Sequence, residues 1–309
     1  LQAHILRIGT RGSPLALAQA HEVRARLMAA HGRDESAFEI RVYKTTGDVI
    51  LDRPLAEVGG KGLFTKEIEE ALIAREIDLA VHSMKDMQTV LPDGLAVGAV
   101  LPREDVRDAF LSLRYGTLRD LPEGAVVGTS SLRRQAQVKR LRPDLQVVGF
   151  RGNVQTRLKK LADGVADATL LACAGLKRLG LADRITAPIA TEEILPAVAQ
   201  GAIAVEIRGN DAATAEAVAP LDDAATGRCV TAERAFLARL EGSCRTPIAG
   251  LAEVLGDTLR LRGMVFSVDG ERSFDITREG PLDTADALGT AAADALIELG
   301  ANALLARSF

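Results

Sequence analysis

Two strand-to-turn patterns that each occur twice constrain this chain most. Arg7-Ile8-Gly9-Thr10-Arg11-Gly12-Ser13 is matched by Val126-Val127-Gly128-Thr129-Ser130-Ser131-Leu132. Ile77-Asp78-Leu79-Ala80-Val81 is matched by Ala166-Asp167-Ala168-Thr169-Leu170-Leu171. Each is a short run of strand length that feeds a Gly- or hydroxyl-rich turn and then a helix. Two such βα halves facing one another enclose a cleft. In open α/β sheets ligands sit just outside the carboxyl ends of the strands, so the residues directly after these runs are the first candidates for chemistry.

Local signals place the other elements. Ser13 and Pro14 suit the cap and first turn of a helix running to about His31, where Gly32 stops it. Gly59-Gly60-Lys61-Gly62-Leu63-Phe64 is too glycine-rich for a regular element and reads as a loop, with an amphipathic helix following from about Thr65 to Arg75. A lone lysine there is either an anion contact or a solvated turn residue, because no Walker spacing is present. Pro102-Arg103-Glu104-Asp105 reads as an interdomain crossing, and the apolar strand Ala202–Ile207 as a return. From Ala224 a third region carries a helix at about Thr231–Leu240. Strands around Leu251–Leu255, Thr258–Val268 and Arg272–Arg278 follow, then an Ala-rich helix at about Thr284–Leu299. The expected partition is 1–101 with 202–219, then 107–195, then 224–309. The third domain is a smaller α+β unit.

The chemistry-bearing residues cluster at strand ends. Lys85-Asp86 follows the strand at Ile77–Val81. An ammonium favours the ionised carboxylate while burial in a cleft opposes it, so Asp86 suits both giving and taking a proton; the plain alternative is a surface salt bridge. Thr129, Ser130 and Ser131 stand at a helix start, which favours an anion. Arg133 and Arg134 lie in that helix's first turn, where the dipole opposes a cation unless something negative binds. Arg151 follows the strand at Leu145–Phe150, and Arg157 lies one to two turns further on. With Arg11, these arginines form a set suited to bidentate pairing with carboxylates or phosphates, so the expected ligand carries several negative charges. The protein as a whole has a net charge of -4 and a pI of about 5.7, with 3% aromatic residues, which gives no basis for nucleic-acid binding. Three cysteines without metal-ligand spacing point to a reducing compartment. Residues 1–20 do not read as a secretory signal and no apolar run reaches membrane length, so a cytoplasmic protein that binds no membrane is expected; no exposed apolar run reads as an interface, so a monomer is the default expectation. Cys244 falls in a polar Gly-Ser loop, which makes it a candidate nucleophile or attachment point.

Several of these segments, in order, resemble the porphobilinogen deaminase (hydroxymethylbilane synthase) family. They are Val81-His82-Ser83-Met84-Lys85-Asp86, Gly128 to Gln135, Arg151-Gly152-Asn153-Val154 with Thr156-Arg157-Leu158, and Leu240-Glu241-Gly242-Ser243-Cys244; Gly59 to Phe64 and Ala172 to Gly180 fit as well. The resemblance implies two periplasmic-binding-protein-like doubly wound domains and a smaller third domain with a cysteine on a loop. It implies a dipyrromethane cofactor joined by a thioether to Cys244. Four porphobilinogen molecules are then added head to tail with loss of ammonia, giving the linear tetrapyrrole hydroxymethylbilane. Asp86 matches the catalytic carboxylate. Ser13, Lys85, Thr129, Ser130, Ser131, Arg133, Arg134 and Arg157 match cofactor contacts; Arg11, Gln19, Arg151 and Gln200, with Ser13 and Arg157 again, match substrate contacts. Lys61 and Phe64 match a lid. Met87-Gln88, Ala199 and Ser243 depart from the usual Val-Pro, Gly and Gly, which bears on loop geometry more than on reaction type. The duplicated halves alone would also suit a small-anion binder without catalysis; the third domain and the size of the arginine set speak against it.

Overall fold

The computed structural model describes residues 5–49, 62–243 and 246–305. The described chain divides into two compact units: residues 5–49, 62–104 and 202–227 form the first, and 105–201, 228–243 and 246–305 the second. Among the described residues the chain passes between them at Glu104/Asp105, within the charged segment expected to cross, again at Gly201/Ala202, and a third time at Gly227/Arg228.

In unit 1 the strands are β1 (Leu6–Arg11), β2 (Phe38–Tyr43), β3 (Leu79–Ser83) and β4 (Leu95–Val100). Unit 2 opens with β5 (Asp108–Ser112), β6 (Val126–Gly128), β7 (Gln146–Val148), β8 (Ala168–Ala172) and β9 (Ala187–Pro188). β10 (Ile203–Arg208) returns to unit 1. The sheet orders are β2-β1-β3-β10-β4 and β7-β6-β8-β5-β9. In both, three parallel strands are followed by an antiparallel fourth, and that fourth strand is the one directly after a crossing. The duplicated patterns occupy equivalent places, β1 with β6 and β3 with β8. Both sheets carry helices on both faces.

Alternation along the strands explains this winding. Ile8, Leu79 and Val81 face Val23 and Leu27 of the helix Pro14–His31, whereas Ile77 and Ala80 face Ile68 and Leu72 of the helix Lys66–Ile73. Each fully buried Leu or Ile contributes on the order of 1.5–3 kcal/mol. Ser13 Oγ accepts a hydrogen bond from the Ala16 N–H at 3.3 Å, Pro14 opens the helix, and Gly32 ends it at φ +59°.

The remaining strands, β11 (Ile248–Leu255), β12 (Thr258–Phe266) and β13 (Ser273–Pro281), form an antiparallel meander. The helices Ala224–Arg239 and Ala285–Glu298 cover one face and bury Phe236 fully. Gly263 is required there, because a Cβ would lie 2.5 Å from the Phe236 ring. The helix before this sheet starts at Ala224, earlier than the expected Thr231, because Asp223 Oδ1 caps it by accepting from the Thr226 N–H at 2.7 Å. On its other side the meander meets the helix Leu132–Leu141, with Ala136 packed among Leu251, Phe266 and Leu195.

Ala199, one of the departures noted above, adopts φ +59°, a left-handed conformation that L residues other than Asn and Asp rarely take. Its N–H donates to Glu233 Oε2 at 2.6 Å, and Glu233 Oε1 accepts from the Ala252 N–H at 2.7 Å. One fully buried carboxylate thus ties the crossing segment to β11. Replacing Glu233 with Ala strands two buried N–H groups, and chemical denaturation should register a loss of about 3–5 kcal/mol. A loss under about 1 kcal/mol would mean that the tie carries little.

Candidate active site

β1 and β3 run parallel, so their carboxyl ends, Arg11 and Ser83, fall at one end of the unit 1 sheet. A small pocket there is lined by Arg11, Ser13, Gln19, Phe64, Thr65, His82, Ser83 and Asp86. Five residues singled out from the sequence, namely Arg11, Ser13, Gln19, Phe64 and Asp86, therefore meet. Asp86 is half-buried on a short turn, Met84–Asp86, held by the Met84 N–H donating to the Ala202 carbonyl at 3.0 Å. Lys85 shares that turn. Gln19 is buried and braced by Ser83, its Nε2 donating to Ser83 Oγ at 2.8 Å. The Arg11 guanidinium lies over the Phe64 ring, 4.4 Å from its centroid. Phe64 in turn packs on Gly47, where a Cβ would fall 2.3 Å from the ring.

Behind the pocket is a buried titratable group that sequence reading missed. His82 Nε2 is 3.0 Å from Glu206 Oε2, and both side chains are buried. Glu69, on the helix after Phe64, is buried too, and burial pushes its carboxyl above the usual range, with Glu206 adding to the rise. The signal available was a lone Glu inside the apolar run Ile203-Ala204-Val205-Glu206-Ile207. A larger cavity in the same unit lies at the opposite end of the sheet. It is lined by Arg7, Arg75, Asp78, Arg208 and Asp211, with Arg7–Asp78 paired at 2.7 Å and Arg208–Asp211 at 2.5 Å. It is at the amino ends of β1 and β3, the wrong end for a ligand in this kind of sheet.

In unit 2 the hydroxyl-rich turn is used by the backbone. Ser131 Oγ accepts from the Arg134 N–H at 3.5 Å and caps the helix. Thr129 Oγ1 accepts from the Ser131 N–H at 3.2 Å, and Ser130 Oγ from the Phe150 N–H at 2.8 Å. Arg151 and Arg157 are half-buried around the next turn, where Arg157 Nε donates to the Gly152 carbonyl at 2.8 Å. Arg133 and Arg134 are 4% and 6% exposed and both grip Asp108. The first negative group at this helix start is thus the chain's own. Gln200 joins it, its Nε2 donating to Asp108 Oδ1 at 2.9 Å. Asp108 went unnoticed in the sequence because its partners lie far along the chain. The cue was a lone acid opening the apolar strand Asp108-Ala109-Phe110-Leu111. Lys61 and Cys244 lie outside the described residues.

Together these features give a pocket that holds a half-buried carboxylate, Asp86, in unit 1 and a buried cluster of two arginines on one aspartate in unit 2. The family model for the porphobilinogen deaminase dipyrromethane cofactor binding domain matches residues 6–216, and that for the porphobilinogen deaminase C-terminal domain matches 227–298. The porphobilinogen deaminase of Paracoccus denitrificans is 62% identical over 94% of this chain and 93% of its own length. Those of Nitrobacter hamburgensis and Nitrobacter winogradskyi are 59% and 58% identical over 94% of this chain and 92% of theirs. The chain belongs to the porphobilinogen deaminase family.

Two outcomes follow from the pocket's walls. Because the folded chain raises the Glu69 carboxyl above its ordinary value of 4.5, the fold holds its proton while the unfolded chain releases it, so stability falls as pH rises between those two values. Glu69→Gln removes that dependence. Its thermal midpoint relative to the parent should climb with pH above about 4.5, and a pH-independent difference would show that Glu69 is not held protonated. Gly47→Ala should displace Phe64 from Arg11, costing roughly 1–3 kcal/mol in stability and raising KM for the pocket's substrate. An unchanged KM would remove the Phe64–Arg11 contact from any role in binding.

Proposed function

We propose that this chain joins four porphobilinogen molecules head to tail, with loss of ammonia, into the linear tetrapyrrole hydroxymethylbilane, and that Asp86 is its catalytic carboxylate. The observation that carries the reading is the position of Asp86 among Arg11, Ser13, Gln19 and Phe64 at the carboxyl ends of β1 and β3.

The family's dipyrromethane group fits the residues present. Its rings bear acetate and propionate side chains, and the Arg133–Arg134–Asp108 cluster carries one more positive than negative charge out of water. Arg133, Arg134, Arg157, Lys85, Ser13, Thr129, Ser130 and Ser131 would hold those carboxylates, with Cys244 as the thioether anchor. When bound, the group supplies the free pyrrole carbon at which chain growth starts. Arg11, Ser13, Gln19, Arg151, Arg157 and Gln200 serve incoming porphobilinogen, and Lys61 and Phe64 close over it to keep water out.

Asp86 has two tasks. As an anion it stabilises the cation left when porphobilinogen loses ammonia, an electrostatic effect that is large in a site shielded from water. As a base it takes the proton that the coupled pyrrole carbon must lose to restore aromaticity. Gln19, fixed by Ser83, and Arg11, held over Phe64, keep their donors turned to a substrate carboxylate at little entropic cost.

Three domains, with boundaries at 1–101 plus 202–219, 107–195 and 224–309, belong to this reading, as do a cytoplasmic location and a monomeric state. The thiols of Cys173 and Cys229 are both buried, which suits a reducing compartment. Among the described residues no helix is long and apolar enough to cross a membrane.

Intact-mass measurement after denaturation should find two linked pyrroles on the chain purified from a porphobilinogen-competent host, and Cys244→Ala should abolish the adduct. A bare polypeptide mass would favour a non-catalytic anion binder. Asp86→Asn should keep that adduct while turnover falls by about 10²–10⁴-fold; near-parental turnover would strip Asp86 of its role.

A further inference from the structure

Asp108 opens β5 and is fully buried. Its Oδ2 accepts from Arg133 Nη2 at 2.8 Å and from Arg134 Nε at 3.1 Å, while Oδ1 accepts from Arg134 Nη2 at 2.7 Å and from Gln200 Nε2 at 2.9 Å. A carboxylate has about four acceptor sites, so Asp108 is saturated. Burial pushes its carboxyl up, but the charges of Arg133 and Arg134 overcome this and hold it well below the usual range. It is therefore an anion at any working pH.

The cluster does not balance. Two guanidinium groups share one carboxylate, and Gln200 is neutral. A second buried arginine adds desolvation cost that Asp108 alone does not offset. Arg133 is fixed further by Nη1 donating to the Leu195 carbonyl at 2.7 Å, and Leu195 is itself clamped by Gln137 at 2.7 and 3.0 Å. Neither arginine has a nitrogen that is both buried and without a partner among the described residues. The donors not engaged by Asp108 or Leu195 therefore face the small accessible remainder of each side chain.

We propose that Asp108 is a positioning residue: it touches no ligand, but locks Arg133 and Arg134 side by side with one net positive charge and turns their remaining donors toward a carboxylate of the polyacid cofactor. The inference rests on the reading that these arginines hold the dipyrromethane. Arg133 and Arg134 lie at the start of a helix whose dipole works against them. Without Asp108 they would repel one another and lose the fixed fork geometry that bidentate recognition needs.

The test follows cofactor loading, not turnover. Parent, Asp108→Asn, Arg134→Gln and the double variant are purified from a host that cannot make porphobilinogen. Each is then supplied with porphobilinogen, and the gain of two linked pyrroles is timed by denaturing mass spectrometry, with thermal midpoints measured alongside. Asp108→Asn should load at least ten-fold more slowly than the parent. The double variant keeps the cluster's net charge, which guards against a folding failure in the single one. It should load at least three-fold more slowly than Arg134→Gln at a similar thermal midpoint, because Arg133 has lost its orienting partner. A merely structural aspartate would lower midpoints without separating those two rates. Parental loading by Asp108→Asn, or equal rates for Arg134→Gln and the double variant, would overturn the proposal while leaving the function standing. A parent that never gains the mass overturns the function itself.

Discussion

Two guanidinium groups gathered on one carboxylate, all three nearly out of water, form the interaction on which unit 2 depends. Asp108 comes from the strand directly after the first crossing, Arg133 and Arg134 from the first turn of the helix behind β6, and Gln200 from the far end of the same 105–201 segment. One anion thus joins parts of the chain up to 92 residues apart. The same helix packs Ala136 against the third sheet, so the cluster is braced from both sides. An arrangement with an excess of buried positive charge is weak as a stabilising device and strong as a recognition device.

The unit 1 pocket is built differently. The end of its sheet that holds Asp86 is backed by Glu69, Glu206 and a single imidazole, His82. The two sheets share one strand order but differ in the groups at these ends. The equivalent strand ends differ: β3 runs on to Lys85-Asp86, whereas the matching β8 runs on to the apolar Cys173-Ala174-Gly175.

Much of this was legible in the sequence because it rests on local chemistry. Ser13, Pro14 and Gly32 fix one helix, Gly256 and Gly270 turn the last hairpins at φ +60° and +75°, and the duplicated patterns announce equivalent strands. The apolar stretch before Arg208 gave away the return strand. What stayed hidden was long-range pairing. Nothing near Arg133 names Asp108, and nothing near His82 names Glu206, since those contacts exist only once the sheets assemble. The early start of the helix at Ala224 escaped for a different reason: Gly227 breaks the helical pattern, while a capping Asp223 outweighs it.

The placement of β10 has a consequence for how the chain is made. In unit 1 it sits between β3 and β4, yet it is encoded after the whole α/β portion of unit 2. While the ribosome is still producing residues 105–201, β4 has no neighbour to hydrogen-bond, and the edge of β3 is open. The amino-terminal portion must therefore wait, unfinished, for a later segment to slot into its middle, reversing the usual tendency of domains to mature in order of synthesis. During that interval its exposed strand edges are what a chaperone or a stray β-strand would find first.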